Sequence, residues 1–173
     1  MEDWYHMTTV VAIDPGKDHV GFSVFYKSVL AYSTFIKSEN QYELHKAVCN
    51  EWACQAVKLN VSVADVLVIE NQQVYNRSRG DPNDLIPLSF VAGSIYATIP
   101  HKKFLHPLPK TWKGSVPKKM FTNRILQYIS MNFHAEFLTL GSYTAKELID
   151  VVDAIGLGLW ALGIDLIRGE SYG

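Results

Sequence analysis

Four acidic residues stand where the chain is otherwise apolar. Asp14 follows TTVVAI, residues 8 to 13, and Glu70 follows VADVLVI, residues 63 to 69. Asp150 and Asp153 sit at the leading end of DVVDAIGLGLWALG, residues 150 to 163, which carries no other charge. On a helix, side chains three positions apart share a face, so these two carboxylates point the same way. Should that helix pack on a sheet whose strands end at Asp14 and Glu70, all four groups meet. Carboxylates gathered at one spot repel and raise one another's pKa unless a cation neutralises them. Oxygen-only ligands select a hard ion, Mg²⁺ or Mn²⁺, rather than zinc. A pair of such ions ~4 Å apart suits in-line displacement at phosphorus. Singly, each residue has a plainer reading. Asp14 precedes Pro-Gly and could be a turn residue, Asp150 could favour a helix start, and Glu70 could be a solvated strand end. Their joint order and setting is what points to a metal site.

A second feature is basic. The formal net charge is -1, yet residues 85 to 135 contain no Asp or Glu, while Lys102, Lys103, Lys110, Lys113, Lys118, Lys119 and Arg124 all fall there. Together with Arg77 and Arg79 just upstream, this segment is either a solvated face or a surface that tracks phosphates.

The elements that must position these groups can be read from periodicity. Residues 8 to 13, 20 to 25 and 29 to 36 are three apolar runs close enough to form a meander. Residues 40 to 58 switch to a helical period, with Leu44, Val48, Trp52 and Ala56 four apart and Asn40 as cap. A strand over 63 to 69 and a helix over 84 to 98, with Pro87 in its first turn, come next. A short strand over 103 to 108 follows. Residues 107 to 117 are broken by Pro, Gly and Trp. Helices over 117 to 131, with Pro117 first, and 144 to 167 complete the chain. The order predicts an α/β fold, a mixed sheet covered by helices.

Bulk composition agrees. At 173 residues, 48% hydrophobic and 19% charged, the chain is expected to be one globular domain, with residues 1 to 7 a short extension. Cys49 and Cys54 would point about 140° apart on a helix, which argues against a local disulfide or zinc pair. With no secretory signal and no stretch long enough to span a bilayer, the expectation is a soluble, intracellular protein and no membrane partner.

Three segments resemble the RuvC family of Holliday junction resolvases, within the RNase H-like superfamily. VVAIDPGKDHVGFSVF, residues 10 to 25, resembles the family's first strand, Asp-Pro-Gly turn and second strand. VLVIENQQVY, residues 66 to 75, resembles the strand and aromatic loop around its glutamate, and DVVDAIGLGLWA, residues 150 to 161, its final helix. HPLPKTWKGSVPKK, residues 106 to 119, resembles the lysine-bearing segment of cellular and phage-encoded members.

The resemblance implies an RNase H-like five-stranded mixed sheet flanked by helices. It implies that Asp14, Glu70, Asp150 and Asp153 bind two Mg²⁺ ions, with Mn²⁺ as a substitute and Asp14 bridging. It makes Lys118 a catalytic lysine near the scissile phosphate. Tyr75, Arg77, Arg79, Lys110, Lys113 and Lys119 become DNA contacts. The implied activity is paired, symmetric nicking of four-way junctions, leaving 5′-phosphate and 3′-hydroxyl ends, in the cytoplasm of a bacterial cell or phage-infected host. A C2 homodimer matches such a substrate. The family pairs through the helix after the glutamate loop, where Leu88, Ala92 and Ile95 form either a pairing stripe or ordinary core.

Other readings keep part of this. A flap, fork or Y-junction nuclease would use the same fold and ligands; against an RNase H cutting hybrids, the Asp-x-x-Asp helix and its apolar continuation favour the resolvase branch. An actin-like or sugar-kinase ATPase shares Asp-x-Gly but needs two domains around its nucleotide. A non-catalytic DNA-binding scaffold predicts an eroded acidic set, and all four positions here are acidic.

Overall fold

The computed structural model describes residues 8–72, 82–133 and 143–167. Tyr75, Arg77, Arg79 and the segment 1 to 7 lie outside the described residues. Strands β1 (Thr9–Pro15), β2 (His19–Tyr26) and β3 (Val29–Lys37) form an antiparallel meander. After helix α1 (Gln41–Leu59), strand β4 (Ala64–Ile69) pairs parallel to β1. Helix α2 (Leu85–Thr98) then crosses to β5 (His101–Leu105), parallel to β4. Helices α3 (Pro109–Lys113), α4 (Lys118–Asn132) and α5 (Ala145–Ala161) end the fold. The sheet order is β3-β2-β1-β4-β5, and the α/β architecture with a mixed five-stranded sheet is as the sequence predicts.

Strand alternation decides which face each residue serves. Val11 and Ile13 point into a core with Leu44, Val48 and Trp52 of α1 and Val91 and Ile95 of α2. Val10, Ala12 and Val68 point the other way, into a core with Phe121 and Ile125 of α4 and Val151, Val152 and Ile155 of α5. By the same period-two rule, Asp14 follows Val10 and Ala12, and Glu70 follows Val68, onto the α5 side. The register Ile13↔Ile69 places the two strand ends side by side. The site is therefore a consequence of pleat and pairing.

Helix α5 is pinned against β2 by a close approach. A Cβ on Gly21 would lie 2.0 Å from the carbonyl oxygen of Asp150, so only glycine permits this contact. Ser23 Oγ donates to the Ala154 carbonyl at 3.0 Å, one turn further along. Gly21→Ala is expected to cost about 1–3 kcal/mol, the range for overpacking, because the obstacle is backbone. It would also push Asp150 outward. Urea unfolding checks the first, metal titration the second; a variant equal to the parent in both would refute the close-contact argument.

The elements differ from expectation in places that have physical reasons. Residues 109 to 113, expected to be broken, form the single turn α3, started by Pro109 and stopped at Gly114, whose φ is 61°. Pro117 caps α4 instead of opening it. Helix α5 stops at Ala161, not 167: Gly163 adopts φ 85°, and Ile164 N–H donates back to the Leu159 carbonyl, a glycine-type stop. On α2, Ala92 and Ile95 are buried in the core, the second of the two expectations, while Leu88 is half-buried. Cys49 and Cys54 are free. No helix among the described residues is long and apolar enough to cross a membrane.

Candidate metal centre and active site

The ends of β1 and β4 are tied before any side chain acts. Glu70 N–H donates to the Ile13 carbonyl at 3.0 Å, and Asn71 N–H to the Pro107 carbonyl at 2.9 Å, which brings the entry to α3 alongside. Helix α3 then delivers two side chains to one atom. Trp112 Nε1 donates to Glu70 Oε2 at 2.7 Å, and Lys113 Nζ lies 3.1 Å from the same oxygen. Lys113 Nζ is also 3.6 Å from Asp153 Oδ2, to which Lys118 Nζ comes within 3.4 Å. Asp153 and Glu70 are buried. Asp14 keeps some surface open to solvent.

Burial, reinforced by Glu70 and Asp153, raises the Asp14 carboxyl well above the usual range, against the pull of Lys113. Burial also raises Glu70, even though Lys113 and Trp112 act to lower it. Asp150 is raised by burial as well, with His19 and Lys118 opposing. For Lys113, burial works against the ammonium, but Asp153, Glu70 and Asp14 outweigh it and its pKa is raised. The cluster thus holds more negative charge than its lysines balance.

Asp150 stands at the cluster's edge. Its Oδ2 is buried without a hydrogen-bond partner, and His19 Nε2 lies 3.4 Å from it. His19 Nδ1 is 2.6 Å from Asp18 Oδ1, and its ring stacks on Phe35 at 5.5 Å between centroids. The ring lies so close over the preceding turn that a Cβ on Gly16 would be 2.6 Å from it.

These residues fit a divalent cation. The donors are oxygens, three carboxyl pKa values are raised by burial and mutual repulsion, and one buried oxygen is unsatisfied. Among the described residues no group of three or more His, Cys, Asp or Glu side chains is closed around one point tightly enough to hold an ion as it stands. The Lys113 ammonium, between Glu70 and Asp153, supplies positive charge there instead.

No protein-family profile and no curated protein matches the sequence. Solved structures do. The Thermus thermophilus RuvC structure superposes with a TM-score of 0.56 at 14% identity, over 88% of this chain and 92% of that one. The same protein in complex with Holliday junction substrate gives 0.57 at 13%, over 91% and 97%. The yeast mitochondrial Holliday junction resolvase gives 0.64 at 15%, over 98% and 84%. The chain has the RuvC resolvase fold. At these identities the likeness is one of fold.

Within that RuvC-type fold, the expected residues divide. The structure brings Glu70 and Asp153 together through Lys113, sets Asp14 within their electrostatic reach, and joins Lys118 to Asp153. Lys113, expected on the DNA, is turned inward to the carboxylates. Lys110 and Lys119 are exposed on α3 and α4. His106 lines a cavity of about 250 Å³ with Asn71, Gln72, Tyr96 and Phe104. Sequence reasoning missed Trp112 and His19. The only available signals were their neighbours: Trp112 precedes Lys113, and His19 lies five residues after Asp14.

Proposed function

We propose that the protein is a metal-dependent, structure-selective DNA endonuclease that resolves four-way junctions by paired nicks. The observation that carries this is the convergence of Asp14, Glu70 and Asp153 with Lys113 and Lys118 at one edge of a RuvC-type sheet. Asp14, Glu70, Asp150 and Asp153 hold two divalent ions, Mg²⁺ or Mn²⁺. When bound, such ions acidify the attacking water and stabilise the leaving 3′ oxygen. The residues do the remainder. Trp112 fixes the Glu70 carboxylate by its hydrogen bond, so one oxygen faces the site in a set orientation. Lys118, whose side chain is 61% exposed while touching Asp153, reaches from the carboxylates to the scissile phosphate. Lys110 and Lys119 neutralise phosphates of the duplex arms, Arg77 and Arg79 contact strands from the segment after Glu70, and Tyr75 stacks on a base near the crossover.

Two active sites related by a two-fold axis suit a junction. On α2 the exposed face carries Ile86, Phe90 and Tyr96 at 70%, 50% and 47% exposure, an apolar surface of the sort that marks a contact. Pairing through it makes the homodimer. Phe90→Glu is expected to raise the dimer dissociation constant on the order of 30-fold or more, the effect of losing a central anchor. Sedimentation velocity reads this directly, and an unchanged sedimentation coefficient would remove α2 from the interface.

The functional test is cleavage of an immobile four-way junction in Mg²⁺, beside linear duplex, flap and RNA–DNA hybrid. Paired, ligatable nicks in opposite strands support a resolvase. Preference for flaps or hybrid keeps the nuclease and changes its substrate. Metal-dependent cleavage of none of them defeats the reading.

A further inference from the structure

His19 is held on three sides. Asp18 takes one ring nitrogen at 2.6 Å, Phe35 stacks on one face, and Gly16 gives the ring room over the turn. An ionised carboxylate can only accept, so Nδ1 is the donor in that contact. What this arrangement presents is Nε2, 3.4 Å from Asp150 Oδ2. That oxygen is buried and accepts no hydrogen bond. An imidazole nitrogen and an unsatisfied carboxylate oxygen thus lie together at one spot.

A buried carboxylate oxygen without a hydrogen bond is costly unless a cation reaches it. A divalent ion binds nitrogen and oxygen ligands at about 2.1 Å, and 3.4 Å is less than twice that length, so both atoms can reach one ion. The Asp18 contact matches the way metal-bound histidines are oriented, with the second ring nitrogen donated to a carboxylate that fixes the ring and strengthens the ligand.

We propose that His19 is a metal ligand that shares an ion with Asp150, making that position a mixed nitrogen–oxygen site for a first-row transition ion in preference to Mg²⁺. This rests on the carboxylate site proposed above. Imidazole suits transition ions, whereas Mg²⁺ favours oxygen alone. The rival is a protonated His19 acting as a charged link between Asp18 and Asp150, with no metal contact.

The two are separated by pulsed electron paramagnetic resonance on the full chain loaded with Mn²⁺. A coordinated imidazole gives ¹⁴N echo modulation, and ¹⁵N-labelling of histidine in the unmutated protein must change it. His19→Gln is expected to abolish the modulation and weaken Mn²⁺ binding about tenfold or more, with a smaller loss for Mg²⁺. Asp14→Asn runs beside it as the test of the carboxylate site. Mn²⁺ binding that depends on Asp14 but shows no histidine nitrogen overturns the His19 proposal and leaves the carboxylate site intact. Modulation that persists in His19→Gln also overturns it. Absence of specific Mn²⁺ binding overturns both. Because the labelling experiment needs no substitution, a misfolded variant does not protect the proposal.

Discussion

Asp14→Asn is expected to be inactive on every DNA substrate and, without metal, more stable than the parent. The loss follows from its place. The Asp14 carboxyl is raised by burial and by all three of the other acids, Glu70, Asp153 and Asp150. It is the group an ion would neutralise most. Removing it should lower cleavage roughly 10³-fold or more, about 4 kcal/mol of transition-state stabilisation. The gain in stability has the same cause. Asparagine keeps the shape and removes a charge that burial and three neighbours disfavour. Each kcal/mol gained should raise Tm by about 2–4 °C in a chain of this size. Mg²⁺ or Mn²⁺ should raise the Tm of the parent and barely move the variant. Equal or lower stability of Asp14→Asn in EDTA would show that the Asp14 charge is well compensated in the metal-free protein.

The sign of the pH dependence is fixed by the same group. The folded pKa of Asp14 lies above its ordinary value of 3.8, so the native state holds a proton that the unfolded chain has released. Metal-free stability attributable to this site therefore falls as pH rises from that value through the raised pKa. Glu70 and Asp150, also raised, act in the same direction. Asp18 is lowered by its hydrogen bond with His19 and acts oppositely, its contribution being lost as pH falls below the ordinary range. Saturating metal should flatten the descending limb, since bound ions favour the ionised carboxylates. Thermal scans across acidic to neutral pH, with and without metal, measure it.

The contrast between what the sequence made legible and what it hid is physical. Asp14 and Glu70 could be placed because β-branched runs have a strict two-residue period and end at recognisable turns. Asp150 and Asp153 could be paired because a helix fixes which residues share a face. None of that specifies how close two elements come. The approach of α5 to β2 depends on a missing Cβ at Gly21, and the seat of His19 on another at Gly16. Helix α3 is five residues long, too short for a period to be read, yet it carries both Trp112 and Lys113 to Glu70. The stripe on α2 could be read as core or as a pairing face for a related reason. An apolar helix offers two candidate faces, and only the packed α1 shows that Ala92 and Ile95 are the buried one.

Lys113 is where that hidden geometry has the largest consequence. Its ammonium meets Glu70 and Asp153 from a side chain only 24% exposed, and its stem lies against Trp112, with Nζ 4.6 Å from the ring centroid. Its folded pKa is raised above the ordinary 10.5, so its stabilising contribution is complete below that value and lost only as pH rises through the folded pKa. Lys113→Met keeps the apolar stem and removes the charge. Breaking a buried pair by removing one partner costs about 3–5 kcal/mol, and partial exposure brings the expectation here to about 2 kcal/mol. The effect on metal should be opposite. With the ammonium gone, an ion no longer competes with a tethered cation, and affinity should rise about tenfold, equivalent to about 1.4 kcal/mol. The variant should be less stable than the parent in EDTA and gain more from metal, while junction affinity drops because the displaced ammonium is no longer there to meet a phosphate. Calorimetric titration with Mn²⁺ decides the point. Unchanged or weaker metal binding in Lys113→Met would mean the lysine assists the ion, and the charge balance at Glu70 and Asp153 would have to be assigned the other way.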